Sequence, residues 1–390
     1  MPAFPSPSRS PGPHAAGLAR LPPGRVLVAV SGGVDSAVAA WILREQGWQV
    51  MGATLRVFPP GDPALLREGF SDPETTIQRA EGVCRLLDIP HRVMEVTAVF
   101  RRRVLSPFFR YYETGLTPNP CVWCNPGVKW NALLRTAREM GCAHVATGHY
   151  ARTEVLQGRV RLLRGRDPAK DQSYALYRLG QEALQRTVFP LGGLHKQEVR
   201  RIAQEQGIPG WDLPESQDLC FLASGGLGAC LSRNISTAPG PVVDRDGVLL
   251  GTHKGLVFFT VGQRKGLGIP RGRPIYVIRK EPWANRLVVG PREALQRRFF
   301  SVRDVCWVSE APPPFGTRIT AEVELRFRSR PIPGVIHPAR DRNADLALAA
   351  HDQPVAPGQS AVWYRGDVLL GGGIICPDPP PAGTPQSSTP

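Results

Sequence analysis

The sequence predicts a doubly wound α/β unit followed by smaller units built from short strands. Three observations carry that expectation. Hydrophobic strand-like runs alternate with helical patterns from Arg25 to about Gln206, a glycine-rich turn follows the first run, and from about Gly240 the pattern changes to short runs punctuated by Gly and Pro.

The elements follow in order. Val26, Leu27 and Val28 form the first strand, and the turn AVSGGVDS leads into a helix over 37–46. Strands over 48–57, 91–96 and 144–147 then alternate with helices over 73–87, 100–112 and 128–140, and a helix over 195–206 closes the unit. A parallel sheet of this kind opens its crevice beyond the carboxyl ends of the strands, so the loops after Val30, Leu55 and Thr147 should surround one pocket. The later strands fall over 255–261, 275–278, 287–289, 318–327, 360–365 and 368–370, in small antiparallel sheets or barrels. Gly371 to Gly373 should permit close backbone approach or a bulge near a sheet edge. Domain boundaries are expected near Glu215 and Pro291.

Composition narrows the function. At 390 residues the chain can bury two or three cores, and a 42% hydrophobic, 21% charged composition is ordinary for a globular protein. No apolar run approaches the roughly 20 residues that a membrane span requires. A net charge of +15 favours a polyanionic partner, nucleic acid first, although an arginine excess from base composition alone gives the same charge. Residues 1–24 are rich in Pro, Ser and Ala, with Asp35 the first acidic residue, and read as a disordered leader without a secretory signal, leaving organelle import open. Residues 377–390 read as a low-complexity tail. Eight cysteines, two of them in Cys121-x-x-Cys124, fit a reducing compartment with reactive or ligating thiols, and the cytoplasm is the default.

The chemistry-bearing segments are the turn and the thiols. Gly32 and Gly33 let the backbone approach an anion, the following helix aims N–H groups and its positive dipole end at the same point, and Ser31 and Ser36 add hydroxyls. A plain tight turn is the alternative. No Walker string and no loop lysine are present, which fits chemistry at an α-phosphate, and Asp35 would hold magnesium or orient the loop. In TPNPCVWCN, a proline-stiffened turn presents Cys121 and Cys124 just before a helix containing Lys129; helix terminus and lysine together should lower the Cys124 pKa toward neutrality. A zinc knuckle or redox pair is the rival, with no second CxxC to complete it. Cys220 in SQDLCF sits at the expected domain boundary, where a buried structural thiol is the plain alternative.

SGGVDS resembles the signature of the PP-loop ATP pyrophosphatases. AVSGGVDS, TPNPCVWCN, ATGHYAR at 146–152, KDQSYAL at 170–176, SQDLCF and VGQRKGLGI at 261–269 occur in one order, and together resemble the bacterial tRNA-specific 2-thiouridylase family over residues 25–375. The resemblance implies a PP-loop, adenine nucleotide alpha hydrolase-like catalytic domain over 25–214, a central tRNA-contacting domain over 215–290 and a C-terminal β-barrel over 291–376. It implies a tRNA-uridine 2-sulfurtransferase using ATP and magnesium. Ala29, Val30, Ser31, Gly32, Gly33, Val34, Asp35, Ser36, Leu55 and Gly148 would bind ATP, Cys124 would be the nucleophile and Cys220 the persulfide carrier, joined in a resolving disulfide. Asn119, Pro120 and Cys121 would flank the target base, His149, Lys170, Asp171 and Gln172 would touch tRNA, and Arg326, Phe327 and Gln359 would grip the RNA stem. An anticodon stem-loop and an upstream sulfur donor, such as a cysteine desulfurase or relay protein, are the implied partners, with no membrane.

Taken alone, Lys170 and Arg326 read equally as solvated charges and Phe327 as a core strand residue, and Arg264 with Lys265 either meets phosphate or ties domains together. One position departs from the family pattern, where an aspartate often stands in place of Cys121, and the segment after Leu55 lacks acidic or cysteine-rich features. Cys121, Cys124 and Cys220 as ligands of a [4Fe-4S] cluster form an alternative sulfur route. Another PP-loop ligase acting on a small carboxylate or amide, and an RNA-binding module with an inactive loop, are the rival functions.

Overall fold

The computed structural model describes residues 23–378 apart from 62–64, 66–69, 213–218, 224–225, 270–273 and 352. Most of the leader, the tail from 379, the boundary at Glu215 and the Ser216, Gln217 and Asp218 of SQDLCF lie outside the described residues.

Five parallel strands form the first sheet: β1 (Arg25–Ala29), β2 (Gln49–Arg56), β3 (His91–Glu95), β4 (His144–Thr147) and the short Thr187–Val188, in the order β3-β2-β1-β4 with Thr187–Val188 at the far edge. Val26, Leu27, Val28, Val145 and Ala146 are buried on both faces, as a strand covered by helices on either side must be. The chain order reverses between β1 and β4, so the loops after these strands flank the crevice.

Helix α1 (Val34–Glu45) begins three residues before the expected 37, and α2 is Pro73–Leu86, N-capped by Asp72. The next two helices each contain a wide π turn: α3 runs Thr97–Phe100, Arg101–Leu105, Ser106–Glu113, and α4 runs Cys121–Cys124, Asn125–Trp130, Asn131–Glu139. The CxxC therefore forms the first turn of a long helix rather than a turn preceding it. Helix α5 is Gln181–Gln185 and α6 is Lys196–Glu205.

Between β4 and Thr187–Val188 the chain makes a hairpin that the sequence did not announce, β5 (Ala151–Leu156) and β6 (Arg159–Arg164). This hairpin leaves the parallel sheet and joins the C-terminal one, where Leu163 pairs with Val368. A four-stranded central sheet comprises Gly240–Val243, Leu249–His253, Tyr276–Glu281 and Arg286–Gly290. The expected strand over 255–261 is instead a 3-10 turn, Leu256–Phe258, entered through Gly255 at φ 156°.

Six C-terminal strands close into a barrel: Phe299–Trp307, Ala344–Leu348, Ile332–Pro338, Ile319–Glu324, Ser360–Arg365 and Val368–Ile375, the last pairing back to the first. Gly371 to Gly373 lie within the ring, not at an edge. A side chain at Gly372 would meet the Tyr177 ring at 2.6 Å, so the glycine admits a tyrosine of the first unit against the barrel wall. Tyr174 and Tyr177, with Val362, Tyr364 and Leu369 of the barrel, belong to one continuous buried core. Buried polar contacts cross the same seam. Arg164 pairs with Glu324 at 2.6 Å and stacks at 3.5 Å on Tyr364, whose hydroxyl lies 3.1 Å from Ser173 Oγ, and Tyr174 OH donates to the Ser360 carbonyl at 2.7 Å. Burial raises the Tyr174 and Tyr364 pKa values well above the ordinary phenol range, so both hydroxyls stay protonated as donors.

Candidate active site

The turn after β1 is held in an anion-ready shape by its own residues. Gly32 has φ 72°, and a Cβ there would strike the Arg79 Cβ of α2 at 2.5 Å, so only glycine fits on both counts. Ser36 Oγ donates to the Gly33 carbonyl at 2.9 Å and accepts from the Ser31 N–H at 3.1 Å, closing the loop on itself. Gly33 caps α1 without a side-chain hydrogen bond, leaving the positive helix end uncapped. The Val30 N–H donates to the Ala53 carbonyl at 2.8 Å and Thr54 Oγ1 donates to the Val30 carbonyl at 2.6 Å, which fastens the turn to β2. A Cβ at Gly148 would lie 2.9 Å from the Asp35 carbonyl carbon and the Ser36 nitrogen, so the loop after β4 comes up directly against the turn. Leu55, partly buried, lies near the carboxyl end of β2.

Asp35 does more than the sequence disclosed. Its Oδ1 accepts from Lys196 Nζ at 2.5 Å and from Tyr150 OH at 2.8 Å. Lys196 begins α6, its side chain is 8% exposed, and its own N–H donates to Asp167 Oδ2 at 2.9 Å. Asp35 Oδ1 is thus shared by a lysine and a tyrosine hydroxyl, and the carboxylate fastens α6 and the loop after β4 to the turn. Lys196 is the cation that the turn itself lacks, and no pattern around it distinguished it from the other helix lysines and arginines.

The thiols sit on α4 and on the segment 219–223. Asn119 Oδ1 accepts from the Cys121 N–H at 3.1 Å, so this side chain caps the helix, and Pro120 is buried. Asn125 Nδ2 donates to the Ala175 carbonyl at 2.9 Å and is buried, tying the CxxC turn to KDQSYAL. Cys121 and Cys124 are recessed, partly reachable yet surrounded by protein. Burial pushes the Cys124 thiol up to about 12 against the opposing pull of Lys129, and Cys121 up to about 11. This corrects the expectation of a near-neutral Cys124: Cys124 lies one turn inside the helix, not at its dipole end, and desolvation outweighs the lysine.

Cys220 is exposed, and negative charge on it further raises the pKa of both Cys121 and Cys124, so the distant thiol is an electrostatic neighbour of the pair. Its position is set by what flanks it. The Phe221 ring packs 5.6 Å from Phe100 and Phe108, its carbonyl accepts from the Ser71 N–H at 3.0 Å, and Leu222 bridges to Phe70. Among the described residues, no three Cys, His, Asp or Glu side chains form a group able to hold a metal ion, so the three cysteines make no ready cluster cradle in this conformation.

The remaining candidate positions divide. His149 is half-buried beside Trp130, with ring centroids 5.5 Å apart, and its Nδ1 lies 2.8 Å from Thr147 Oγ1; burial, then Lys129, drive its pKa well down, so it is a neutral ring. Asp171 turns inward: its carboxylate accepts from the Gly165 and Ser173 N–H groups at 2.9 and 3.1 Å and from Ser173 Oγ, and only 7% of the residue is exposed. Gln172 Oε1 accepts from the Tyr150 N–H, and Lys170 is partly buried at the start of the same segment. Gln359 Nε2 donates to the Thr117 carbonyl at 2.9 Å and the Thr117 N–H donates to the Pro357 carbonyl, so the barrel holds the entrance to the cysteine segment. Arg326 and Phe327 are exposed at the turn after Ile319–Glu324.

Three family models match consecutive stretches of the chain: a tRNA methyl transferase HUP domain over 24–224, a tRNA methyl transferase PRC-barrel domain over 228–291 and an aminomethyltransferase beta-barrel domain over 297–375. A tRNA-specific 2-thiouridylase MnmA of Chloroflexus aurantiacus is 45% identical over 90% of this chain and 98% of its own length. Those of Nostoc punctiforme and Moorella thermoacetica are 42% and 40% identical over the same shares. Among solved structures, a 4-thiouridine synthetase in complex with RNA and ATP aligns over 50% of this chain and 44% of its own at 19% identity and a TM-score of 0.33, a slight likeness that adds nothing to the function. From the three consecutive domain matches and the near full-length similarity of these relatives, the chain belongs to the tRNA-specific 2-thiouridylase family.

Proposed function

We propose that the protein is an ATP-dependent tRNA-uridine 2-sulfurtransferase that replaces the C2 oxygen of the wobble uridine, U34, by sulfur, giving 2-thiouridine, AMP and pyrophosphate. Beyond family membership, the observation that carries this reading is that Phe221, next to exposed Cys220, shares one buried core with Val122, which lies between Cys121 and Cys124, so that two remote cysteine segments face the same region and charge on Cys220 raises the pKa of both recessed thiols.

The turn from Ala29 to Ser36 receives the ATP phosphates on the uncapped end of α1, with Leu55 and Gly148 walling the nucleotide. Lys196 and the α1 end stabilise the charge of departing pyrophosphate, and magnesium comes with the nucleotide's own phosphates. The uridine C2 oxygen attacks the α-phosphorus and the bond to pyrophosphate breaks, leaving a C2–O–AMP ester. The wobble base leaves its loop stack at a cost of a few kcal/mol. Neutral His149 beside Trp130 offers a hydrogen-bonding edge to it rather than a charge.

A sulfur donor such as a cysteine desulfurase or relay protein loads Cys220 as a persulfide, which its exposure permits. The terminal sulfur attacks C2 and AMP leaves with the C–O electron pair. Cys124 gives up its proton to solvent and attacks the Cys220 Sγ; the S–S bond to the new C2 sulfur breaks, releasing 2-thiouridine and a Cys124–Cys220 disulfide, which an external thiol reductant reopens. Asp171 and Gln359 act by holding the RNA-facing segments, while Lys170, Gln172, Arg326 and Phe327 meet the anticodon stem-loop. A cytoplasmic location suits this tRNA chemistry, and among the described residues no helix is long and apolar enough to cross a membrane.

Incubation with unmodified tRNA, ATP, magnesium and a cysteine desulfurase, followed by nucleoside mass analysis, tests the reading. A gain of one sulfur for oxygen in uridine supports it. Pyrophosphate release indifferent to tRNA but stimulated by a small carboxylate would point to the ligase alternative, and tRNA binding without AMP formation to an inactive binding module.

A further inference from the structure

The chain is fixed on both sides of His149. A Cβ at Gly148 would lie 2.9 Å from the Ser36 nitrogen, and Tyr150 OH donates to Asp35 Oδ1 at 2.8 Å, so both chain neighbours of His149 engage the glycine-rich turn. The Tyr150 N–H donates to Gln172 Oε1 at 3.0 Å, the Gln172 N–H returns a bond to the Tyr150 carbonyl at 2.9 Å, and the His149 carbonyl accepts from the Ala151 N–H at 3.1 Å.

The ring itself packs against the helix that carries the thiols. Its centroid is 5.5 Å from that of Trp130 on α4, whose indole N–H donates to Thr187 Oγ1 at 2.7 Å and is thereby held in place. Lys129, the residue before Trp130, acts electrostatically on His149, Cys121 and Cys124 alike. His149 therefore stands where the glycine-rich turn and the thiol helix approach each other. Its Nδ1 is 2.8 Å from Thr147 Oγ1, a buried hydroxyl on β4, while its Nε2 makes no hydrogen bond among the described residues.

Adenylation of a uridine sets a proton free. When O2 bonds to the α-phosphorus, the pyrimidine ring carries positive charge until N3 gives up its hydrogen and a C2=N3 double bond forms. Phosphorylation of O2 makes that N3–H strongly acidic, so a weak base suffices, provided that it is neutral and fixed in place. Burial, then Lys129, drive the His149 pKa well down, so the ring is neutral at pH 7 and holds a lone pair.

We propose that His149 is the general base of adenylation: Thr147 Oγ1 accepts from Nδ1–H, which leaves the Nε2 lone pair to take the uridine N3 proton as pyrophosphate departs. The proposal rests on the tRNA reading above. The imidazolium, pressed by burial and by Lys129 to give the proton up, returns it to N3 when the persulfide sulfur attacks C2, and AMP then leaves with the C–O electron pair. The O2–P bond forms as the bond to pyrophosphate breaks, the N3–H electron pair becomes the second C2–N3 bond, and 2-thiouridine ends with its N3–H restored. His149 thus carries one proton between the two half-reactions and is left unchanged.

The test is single-turnover pyrophosphate release by the full chain with ATP, magnesium and unmodified tRNA, for the wild type, His149→Gln and Thr147→Val, each checked for folding by thermal melting and for tRNA affinity by filter binding. His149→Gln keeps a hydrogen-bonding amide but takes no proton. At saturating tRNA and about pH 7 its release is expected to be about 100-fold slower or more, with affinity within about threefold, and the residual rate should climb about tenfold per pH unit as hydroxide takes the proton. Thr147→Val keeps the ring and removes the partner of Nδ1; it should slow release about 10-fold, and it carries the test if the Gln variant melts early. Release within about fivefold of the wild type in both variants would overturn the proposal. So would a loss confined to tRNA affinity, or a residual rate in His149→Gln that ignores pH, either of which makes the histidine a hydrogen-bonding contact only. Failure of the wild type itself to release pyrophosphate with tRNA defeats the underlying reading, an outcome distinct from these.

Discussion

Lys196 Nζ lies 2.5 Å from Asp35 Oδ1, joining the first turn of α6 to the first turn of α1 beside the glycine-rich turn. The pair holds a cation where the loop sequence provides none. Lys196→Met is expected to slow tRNA-dependent pyrophosphate release on the order of 100-fold while tRNA affinity stays within about twofold. Asp35→Ala should block release similarly, and release at the wild-type rate in either variant would remove the pair from the chemistry.

Burial, not the nearby lysine, sets the resting state of Cys124. With its pKa pushed up to about 12, the thiol stays protonated at neutral pH, whereas Cys220 is exposed. Brief alkylation of the tRNA-free protein at about pH 7.5, read by peptide mass, should therefore label Cys220 first and Cys121 and Cys124 slowly. Preferential labelling of Cys124 would contradict the recessed geometry.

Cys220→Ser should abolish sulfur transfer and leave ATP-dependent adenylation of RNA measurable, since the thiol is not part of the glycine-rich turn proposed to receive ATP. Full thiolation by that variant would end the carrier assignment. Phe221→Ala, which removes the ring packed between Phe100 and Phe108, should lower thiolation about 10-fold or more with pyrophosphate release retained, because it loosens the support of Cys220.

Lys280 is buried in the central sheet with its ammonium on the Phe259 carbonyl at 2.8 Å, and burial lowers its pKa to about 7. The unfolded chain holds this proton up to an ordinary lysine pKa, so between about pH 7 and 10 the unfolded state binds more protons and stability rises with pH. Below about pH 7 the full cost of the buried charge remains. Lys280→Met should stabilise the protein by about 1–3 kcal/mol at neutral pH and flatten that rise, as read from melts at several pH values.

The alternation of strands and helices was legible because a two-face-buried strand writes a continuous apolar run, as Val26 to Val28 do. The turn was legible because Gly32 answers a local demand of φ and contact. What stayed hidden was whatever depends on distant partners. Lys196 looked like any helix lysine until folding set it on Asp35; the pKa of Cys124 depends on how much protein surrounds it; and Asp171 and Gln359 point to partners that sequence position does not reveal. The β5–β6 hairpin was not announced by the sequence at all, and the strand it pairs with, through Val368, lies near the other end of the described chain.

That last pairing has a consequence for biosynthesis. The hairpin and the Tyr177 ring leave the ribosome long before Val368 and Gly372, the residues that cover them. Until those are translated, a strand edge and an aromatic surface stand uncovered, which is the condition that invites aggregation. A chain that stopped ahead of these strands would keep that edge and that ring exposed, and is expected to be drawn into aggregates rather than to fold into the first unit alone.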